Sequence, residues 1–149
     1  ISTKLILKCI DNIHYISNIH FMMQKEFVDR LISEHGKKTY GRLSVLTQVF
    51  FKVEKYIDIK PNDFYPEPKI FSSFVSLTPL KSCLLKDHET DEFLLFVKEI
   101  FNTRRKKIKN CISINSDIYY DSINKRAEEL SISEMIKLYR DLKSNGKFI

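Results

Sequence analysis

Glycine is scarce in this sequence: its 149 residues include only Gly36, Gly41 and Gly146. Loops that bind phosphates or dinucleotides need several closely spaced glycines, so no cofactor loop of that kind is present here. The three cysteines lie far apart without C-x-x-C spacing, and the four histidines are equally scattered. The sequence therefore predicts reduced thiols, a cytoplasmic location and no metal site. No Ser/His/Asp or Cys/His arrangement has catalytic spacing, and no apolar run approaches the roughly 18 residues that span a membrane.

Alanine is almost absent, with Ala127 as its one occurrence, whereas isoleucine, lysine and asparagine are abundant. This composition indicates an AT-rich coding bias, so the net charge of +6 is a weak indicator of an anionic partner. Local clusters of cations are a stronger indicator. Hydrophobic residues make up 43% and aromatic residues 12% of the chain, which is enough for an apolar core, and we expect a folded protein.

Hydrophobic spacing predicts an α/β arrangement in the first part of the chain. Apolar residues at helical steps indicate helices, and alternation with a period of two indicates strands. Helices are predicted over residues 2–11, over residues 25–33 and after Gly41, and strands over residues 17–24, 53–59 and 70–77. The last two strands are predicted to be antiparallel and to lie at the edge of a sheet.

The second part of the chain is predicted to be entirely helical. A polar stretch over residues 78–90 marks a domain boundary near residue 84, giving domains of residues 1–84 and 85–149. One helix is predicted over residues 91–111, with a break at residues 115–117. Ser131 and Glu134 fit a capping box that begins the final helix.

A proline-stiffened loop is predicted between the last two strands. In Phe64-Tyr65-Pro66-Glu67-Pro68-Lys69, the two prolines fix their own φ angles and favour extended geometry in the residues before them. Phe64 would then sit in a rigid segment where its ring can act as a stacking surface for an unstacked base. The alternative from composition alone is that Phe64 fills an apolar gap at the edge of the sheet.

A run of cations lies in the last part of the helix predicted over residues 91–111, with five in the six positions of residues 104–109. Some of them must point outward on a helix, whatever its packing, because successive residues are 100° apart. Charges at a helix C-terminus, or a solvated face, could also explain the run. Arg42, in the first turn of a helix, is poorly placed for the helix dipole and is a weak second sign of an anionic partner. Together with Phe64, these cations point to RNA. The candidate RNA-binding residues are Arg42, Arg104, Arg105, Lys106, Lys107 and Lys109.

Five segments in order resemble the small-subunit rRNA adenine N6,N6-dimethyltransferases, and the resemblance covers essentially the whole chain. They are residues 21–30, 40–46, 64–69 with Ser72, 101–110 and 126–131. The first residues, Ile1 and Ser2, resemble the segment just past the family's Asn-Leu-Pro-Tyr catalytic motif. The resemblance is therefore to the C-terminal half of the family, and the glycine-rich cofactor loop and that motif are expected upstream of Ile1.

The resemblance implies a fold and a set of roles. Residues 1–84 would form the C-terminal part of a Rossmann-like class I methyltransferase sheet, and residues 85–149 a small helical rRNA-binding domain. Phe64 would match the aromatic residue that stacks on the flipped target adenine, and Arg104, Arg105 and Lys106 would match the family's rRNA-contacting basic helix. Two residues of the proline loop depart from the family pattern: Phe71 stands where Asp or Asn usually precedes the serine, and Glu67 replaces a common proline.

The implied reaction is dimethylation of N6 on two adjacent adenines near the 3′ end of small-subunit rRNA. S-adenosylmethionine would be the methyl donor, held by the missing half, and the small ribosomal subunit the partner. The 149 residues alone would then be inactive. Two alternatives remain: a macrolide-resistance-type methyltransferase of large-subunit rRNA, and a non-catalytic nucleic-acid-binding relative. A basic globular domain with no nucleic-acid function is a third, which the ordered segments disfavour.

Overall fold

The computed structural model describes residues 2–82, 84–112 and 121–146. Its main helices and strands lie close to the predicted positions in the first part of the chain. They are α1 (Ser2–Asp11), β1 (Ile19–Gln24), α2 (Lys25–Leu31), α3 (Arg42–Phe50), β2 (Phe51–Ile59), β3 (Ser72–Pro79), α4 (Thr90–Asn102) and α5 (Ile132–Ser144). Short 3-10 helices occupy Ile13–Tyr15, Pro61–Asp63, Asp87–Glu89, Ile108–Asn110, Asp121–Asn124 and Ala127–Glu129.

The three strands form one sheet in the order β1-β3-β2, and β3 is antiparallel to both neighbours. The prediction that β2 and β3 are antiparallel is confirmed, but the prediction that β3 is an edge strand is wrong. Val75 and Leu77 face Phe21 and Ile19 of β1 on one side and Lys55 and Val53 of β2 on the other. The period-two pattern shows that a segment is a strand, but which edges are paired depends on residues far away in the chain.

The two faces of the sheet have different surroundings. Val75 and Leu77 of β3 are fully buried and belong to the apolar core, with Phe21 and Val53 packed against it. The opposite face carries an aromatic cluster in which the Phe74 ring lies 5.8 Å from both the His20 ring and the Tyr56 ring, centroid to centroid. Ser76 donates a hydrogen bond to the Tyr56 hydroxyl across 3.1 Å.

Helix α3 lies at the centre of the molecule, in contact with α1, α2 and β2 as well as with α4 and α5. All but two of its nine residues are buried, including the polar Ser44 and Thr47, so the protein surrounds this helix on nearly all sides. Helices α4 and α5 meet each other through the rings of Phe93, Phe96 and Tyr139, whose centroids are 5.5 to 6.3 Å apart. Since α3 contacts elements on both sides of residue 84, the domain division at that residue stays a prediction.

The long helix predicted over residues 91–111 is wrong in its second half. Helix α4 ends at Asn102, and Thr103 leaves the helical region at φ −118°, ψ 66°. The five cations therefore lie in a turn and in the following 3-10 helix, not on a helix. Like charges at successive helical turns repel one another, and the turn lets the buried Ile108 donate its N–H to the Lys125 carbonyl across 3.0 Å. The predicted break at residues 115–117 lies outside the described residues.

The capping box that begins α5 is confirmed. The Glu134 N–H donates to the Ser131 hydroxyl across 3.3 Å, and the Ser131 N–H donates to the Glu134 carboxylate across 2.9 Å. These bonds lower the pKa of Glu134 to about 2, with the bond from the Ser131 backbone as the main cause. No helix among residues 2–82, 84–112 and 121–146 is long and apolar enough to cross a membrane.

Candidate nucleic-acid interface

Residues 60–71 form the loop between β2 and β3. The Lys60 N–H donates to the Asp63 carboxylate across 3.2 Å, and the Phe64 N–H donates to the Pro61 carbonyl, also across 3.2 Å. These bonds fix the backbone on the N-terminal side of Phe64, whose side chain is half-buried. The neighbouring Tyr65 ring is fully exposed. The loop therefore holds two consecutive aromatic residues, one partly buried by the protein and one exposed to solvent.

A network of four charged side chains lies at the base of this loop. The Lys25 ammonium is 2.6 Å from one carboxylate oxygen of Asp29, and the Lys55 ammonium is 3.2 Å from the other. Lys55 also lies 3.3 Å from Asp58, which accepts a 2.5 Å hydrogen bond from the Ser73 hydroxyl. That hydroxyl is the main cause that lowers the pKa of Asp58, with help from Lys55 and Lys25. The sequence did not reveal this network, because its four members come from two separate elements, α2 and β2.

Backbone hydrogen bonds beside this network fix both ends of the loop. Ser72, at its C-terminal end, pairs with Gln24 of β1 and with Ile59 of β2. The Lys25 N–H donates to the Phe71 carbonyl across 2.9 Å. Phe71, which departs from the family pattern, thus takes part through its backbone, and its ring is about half exposed (47%).

Arg104 differs from the other cations of residues 104–109 because its guanidinium binds groups of the protein, although its side chain is 45% exposed. Its Nε donates to the Glu128 carboxylate across 2.6 Å, and its Nη2 donates to the Tyr40 carbonyl across 2.9 Å. Nη2 also donates to the Lys38 carbonyl. One guanidinium therefore joins the turn after α4, the loop before α3 and the 3-10 helix Ala127–Glu129.

The other cations of this run are exposed, and none of them has an ion-pair partner among the described residues. They are Arg105, Lys106, Lys107 and Lys109. Arg42, in the first turn of α3, is likewise exposed and unpaired within the described part of the chain. It lies two residues after Tyr40, whose carbonyl Arg104 binds. The structure thus places Arg42 beside the turn that carries the other cations.

A basic surface is formed together by Arg42, Arg105, Lys106, Lys107 and Lys109. Helix α2 connects this surface to the loop that carries Phe64. Its first residue, Lys25, binds the Phe71 carbonyl at the loop. Near its end, the Arg30 carbonyl accepts a 2.6 Å hydrogen bond from Ser44 in the first turn of α3. At about 1.5 Å of rise per residue, this helix of seven residues is about 10 Å long. Phe64 and the cations therefore belong to two neighbouring surfaces rather than to one compact cluster.

A metal centre is not found in the described ranges, where no three His, Cys, Asp or Glu side chains are close enough together to hold an ion. Cys9 and Cys111 are free thiols, and Cys83 lies outside the described residues. Burial raises the pKa of the Cys9 thiol, which makes it a weaker nucleophile.

Comparison with known proteins gives a consistent result. The family model for ribosomal RNA adenine dimethylase matches residues 1–143. The ribosomal RNA small subunit methyltransferase A of Legionella pneumophila (strain Corby) is 38% identical over 144 residues, which cover 93% of this chain and 56% of the relative. The chain thus spans little more than half the length of that curated relative.

Solved structures show the fold. A dimethyladenosine transferase from Plasmodium falciparum matches with a TM-score of 0.83 and 24% identity, over 99% of this chain and 65% of the other. The 23S rRNA methyltransferase ErmE matches with a TM-score of 0.53 and 17% identity, over 86% of this chain and 55% of the other. The prediction of a partial methyltransferase fold followed by helices is confirmed. Since the family model matches residues 1–143 of the 149 in this chain, the chain belongs to the ribosomal RNA adenine dimethylase family.

Proposed function

We propose that this chain is part of an enzyme that dimethylates N6 of two adjacent adenines near the 3′ end of small-subunit rRNA. The placement of Phe64 carries the proposal: it lies in a loop whose two ends are fixed by backbone pairing and by charged side chains. An aromatic ring held in this way can stack on a base that has left the helix. Support also comes from the curated relatives, which are named as small-subunit rRNA methyltransferases.

The proposed role of these residues is to hold the RNA. Methyl transfer needs the adenine N6 to be presented outside the base stack, and positioning of this kind accelerates a reaction by reducing the entropy lost at the reacting centre. Phe64 would stack on the target base, while Arg42, Arg105 and Lys106 would bind phosphates of the flanking RNA. Lys107 and Lys109 extend the same basic surface.

S-adenosylmethionine is the proposed methyl donor, and we assign no residue of this chain to its binding. The two glycines nearest to one another, Gly36 and Gly41, use their N–H groups within the protein. The Gly36 N–H donates to the Glu128 carbonyl across 2.7 Å, and the Gly41 N–H donates to the Ser44 hydroxyl across 3.1 Å. Neither is free to bind a cofactor, so we expect the cofactor residues in the portion of the relatives that this chain does not cover.

Substitution of the two loop aromatics tests the proposal in the complete gene product that contains these residues. We expect Phe64→Ala to lower methylation of small ribosomal subunits about ten- to a hundredfold, because base stacking is worth about 1–3 kcal/mol. Phe64→Tyr should retain most of the activity, since the ring face is kept. Tyr15→Ala is the matched control, because this exposed aromatic ring follows α1, far along the chain from the loop.

The outcomes separate the proposed activity from its alternatives. Wild-type activity in Phe64→Ala, combined with a loss in Tyr65→Ala, would assign stacking to the neighbouring ring and contradict the proposed role of Phe64. Methylation of large-subunit rRNA in place of small subunits would support the macrolide-resistance-type alternative. Binding of RNA with no methylation by the wild-type protein would support a non-catalytic relative.

A further inference from the structure

We propose that Arg104 is a positioning residue of the RNA-binding surface, and that the phosphate contact it supports is made by Lys38. This inference rests on the proposed function, because it assumes that the basic surface binds RNA. The resemblance places Arg104 among the RNA contacts, but its guanidinium binds three groups of the protein, the Glu128 carboxylate and the carbonyls of Lys38 and Tyr40. Its positive charge is balanced by Glu128, 2.6 Å away.

The loop of residues 34–41 depends on these bonds for its position. Gly36 has a positive φ of 82° and donates its N–H to the Glu128 carbonyl. Tyr40 is buried, and its hydroxyl donates to the Leu130 carbonyl across 3.1 Å. Between these two anchors, the backbone at Lys38 is held by Arg104. Without the guanidinium, the Lys38 carbonyl would lose this donor, whereas Thr39 would keep its 2.7 Å hydroxyl bond to Ser33 and Lys37 its bonds to Tyr40 and Glu34.

Lys38 differs from its neighbour Lys37 in the way that matters for binding RNA. The Lys37 ammonium lies 2.9 Å from the Glu34 carboxylate. Lys38 is exposed and has no ion-pair partner among the described residues. Its backbone is bonded directly to Arg104, which is followed in the chain by the exposed Arg105 and Lys106. Lys38 therefore adds an unpaired charge to the same surface, where a polyanion can bind several cations at once.

A double-mutant cycle in the complete gene product that contains these residues tests the inference, with a synthetic hairpin of the 3′-terminal small-subunit rRNA sequence as the probe. Affinity is measured against salt concentration, because each phosphate contact contributes about 0.7–0.9 to the slope of log affinity against log salt. We expect Lys38→Gln to lower that slope by the contribution of one phosphate contact. Arg104→Lys should lower it by a similar amount although it keeps the charge, since lysine cannot bind three groups in a fork.

The coupling between the two positions is the decisive result. Once Arg104→Lys has released the loop, Lys38→Gln should cause little further loss, whereas Arg105→Gln should lower the slope equally in both backgrounds. Lys81→Gln is the matched control. Lys81 lines a cleft with Phe50, at the C-terminal end of α3, and with Asp91, near the N-terminal end of α4. Arg42 and Asn102 lie at the other ends of these two helices. Helix α4 has 13 residues, which places Lys81 about 20 Å from the basic surface, beyond the reach of screened charges.

Each outcome supports or overturns a specific claim. Wild-type affinity and slope in Arg104→Lys, or the same Lys38→Gln effect in both backgrounds, would overturn the inference while leaving the RNA surface intact. A lower melting temperature of Arg104→Lys with unchanged affinity would show a purely structural role and overturn it as well. If the wild-type chain does not bind the hairpin, or if Lys81→Gln lowers the slope as much as Lys38→Gln, the proposed RNA surface itself is wrong.

Discussion

Glu89 stabilises the junction between the sheet and the last helix, and its substitution tests the energetic reasoning directly. Its two carboxylate oxygens accept bonds from Nε and Nη2 of Arg140 across 2.9 and 2.8 Å, and the Lys86 N–H also donates to it. Arg140 in turn donates to the Leu84 carbonyl across 3.1 Å. The carboxylate and guanidinium thus attach residues 84–89 to α5.

The magnitude follows from the pKa of Glu89, which the Arg140 guanidinium lowers from 4.5 to about 2. A difference of that size corresponds to about 3 kcal/mol of stabilisation when the carboxylate is charged. The Glu89 side chain is only 9% exposed, but that of Arg140 is 44% exposed, so solvent weakens the interaction. We therefore expect Glu89→Gln to lower the free energy of unfolding by about 2 kcal/mol at pH 7.

The pH dependence gives the sharper test. Because folding lowers the pKa of this acid, its stabilising contribution is complete above the unfolded value of 4.5 and is lost as the pH falls towards about 2. Urea denaturation at several pH values should show the wild-type and Glu89→Gln stabilities converging below pH 5. Glu99→Gln, at an exposed glutamate of α4, the helix that follows Glu89, is the control and should change stability little at any pH. A difference in stability between wild type and Glu89→Gln that stays constant down to pH 3 would contradict the stabilising role of the charged Glu89 carboxylate.

Two further substitutions and one binding measurement also have expected outcomes. Ser131→Ala removes the side chain that caps α5 and should lower the free energy of unfolding by about 1 kcal/mol in thermal denaturation; an unchanged melting temperature would contradict the role of the cap. Tyr40→Phe leaves the buried Leu130 carbonyl without its donor and should cost about 1–3 kcal/mol in urea denaturation, whereas wild-type stability would show that the bond contributes nothing. Calorimetry of S-adenosylmethionine with the chain of 149 residues should show no micromolar binding, and such binding would contradict our placement of the cofactor residues outside it.

Local features of the structure were predictable from the sequence. The amphipathic spacing of α1, the helix that begins after Gly41 and the capping box at Ser131 depend on residues within one or two turns of each other, so a single chain segment contains the information. The same holds for the loop of Phe64, where two nearby prolines and two flanking strands indicate a short rigid connection. The ordered segments that resemble the rRNA dimethyltransferases are equally local.

The end of α4 was not predictable, because it depends on a distant partner. The apolar spacing continues to Ile108, but the backbone leaves the helix after Asn102, and Ile108 bonds to Lys125 instead. A hydrogen bond between segments separated by a loop leaves no periodic signal in the sequence. The central position of β3 is of the same kind, since a strand pattern does not state how many neighbours the strand has.

The sequence by itself predicted the main helices and strands of the first part of the chain, the family, and two kinds of candidate RNA-binding residue, an aromatic ring in a stiff loop and a group of cations. Only the tertiary structure decided which cations are free to bind an anion. Arg104 and Arg105 are equivalent in the sequence, but Arg104 bonds to the Glu128 carboxylate 24 residues away and to the Tyr40 carbonyl 64 residues away. The physical reason is that a charge acts through the groups that surround it in space, and folding brings those groups together from segments that the sequence keeps apart.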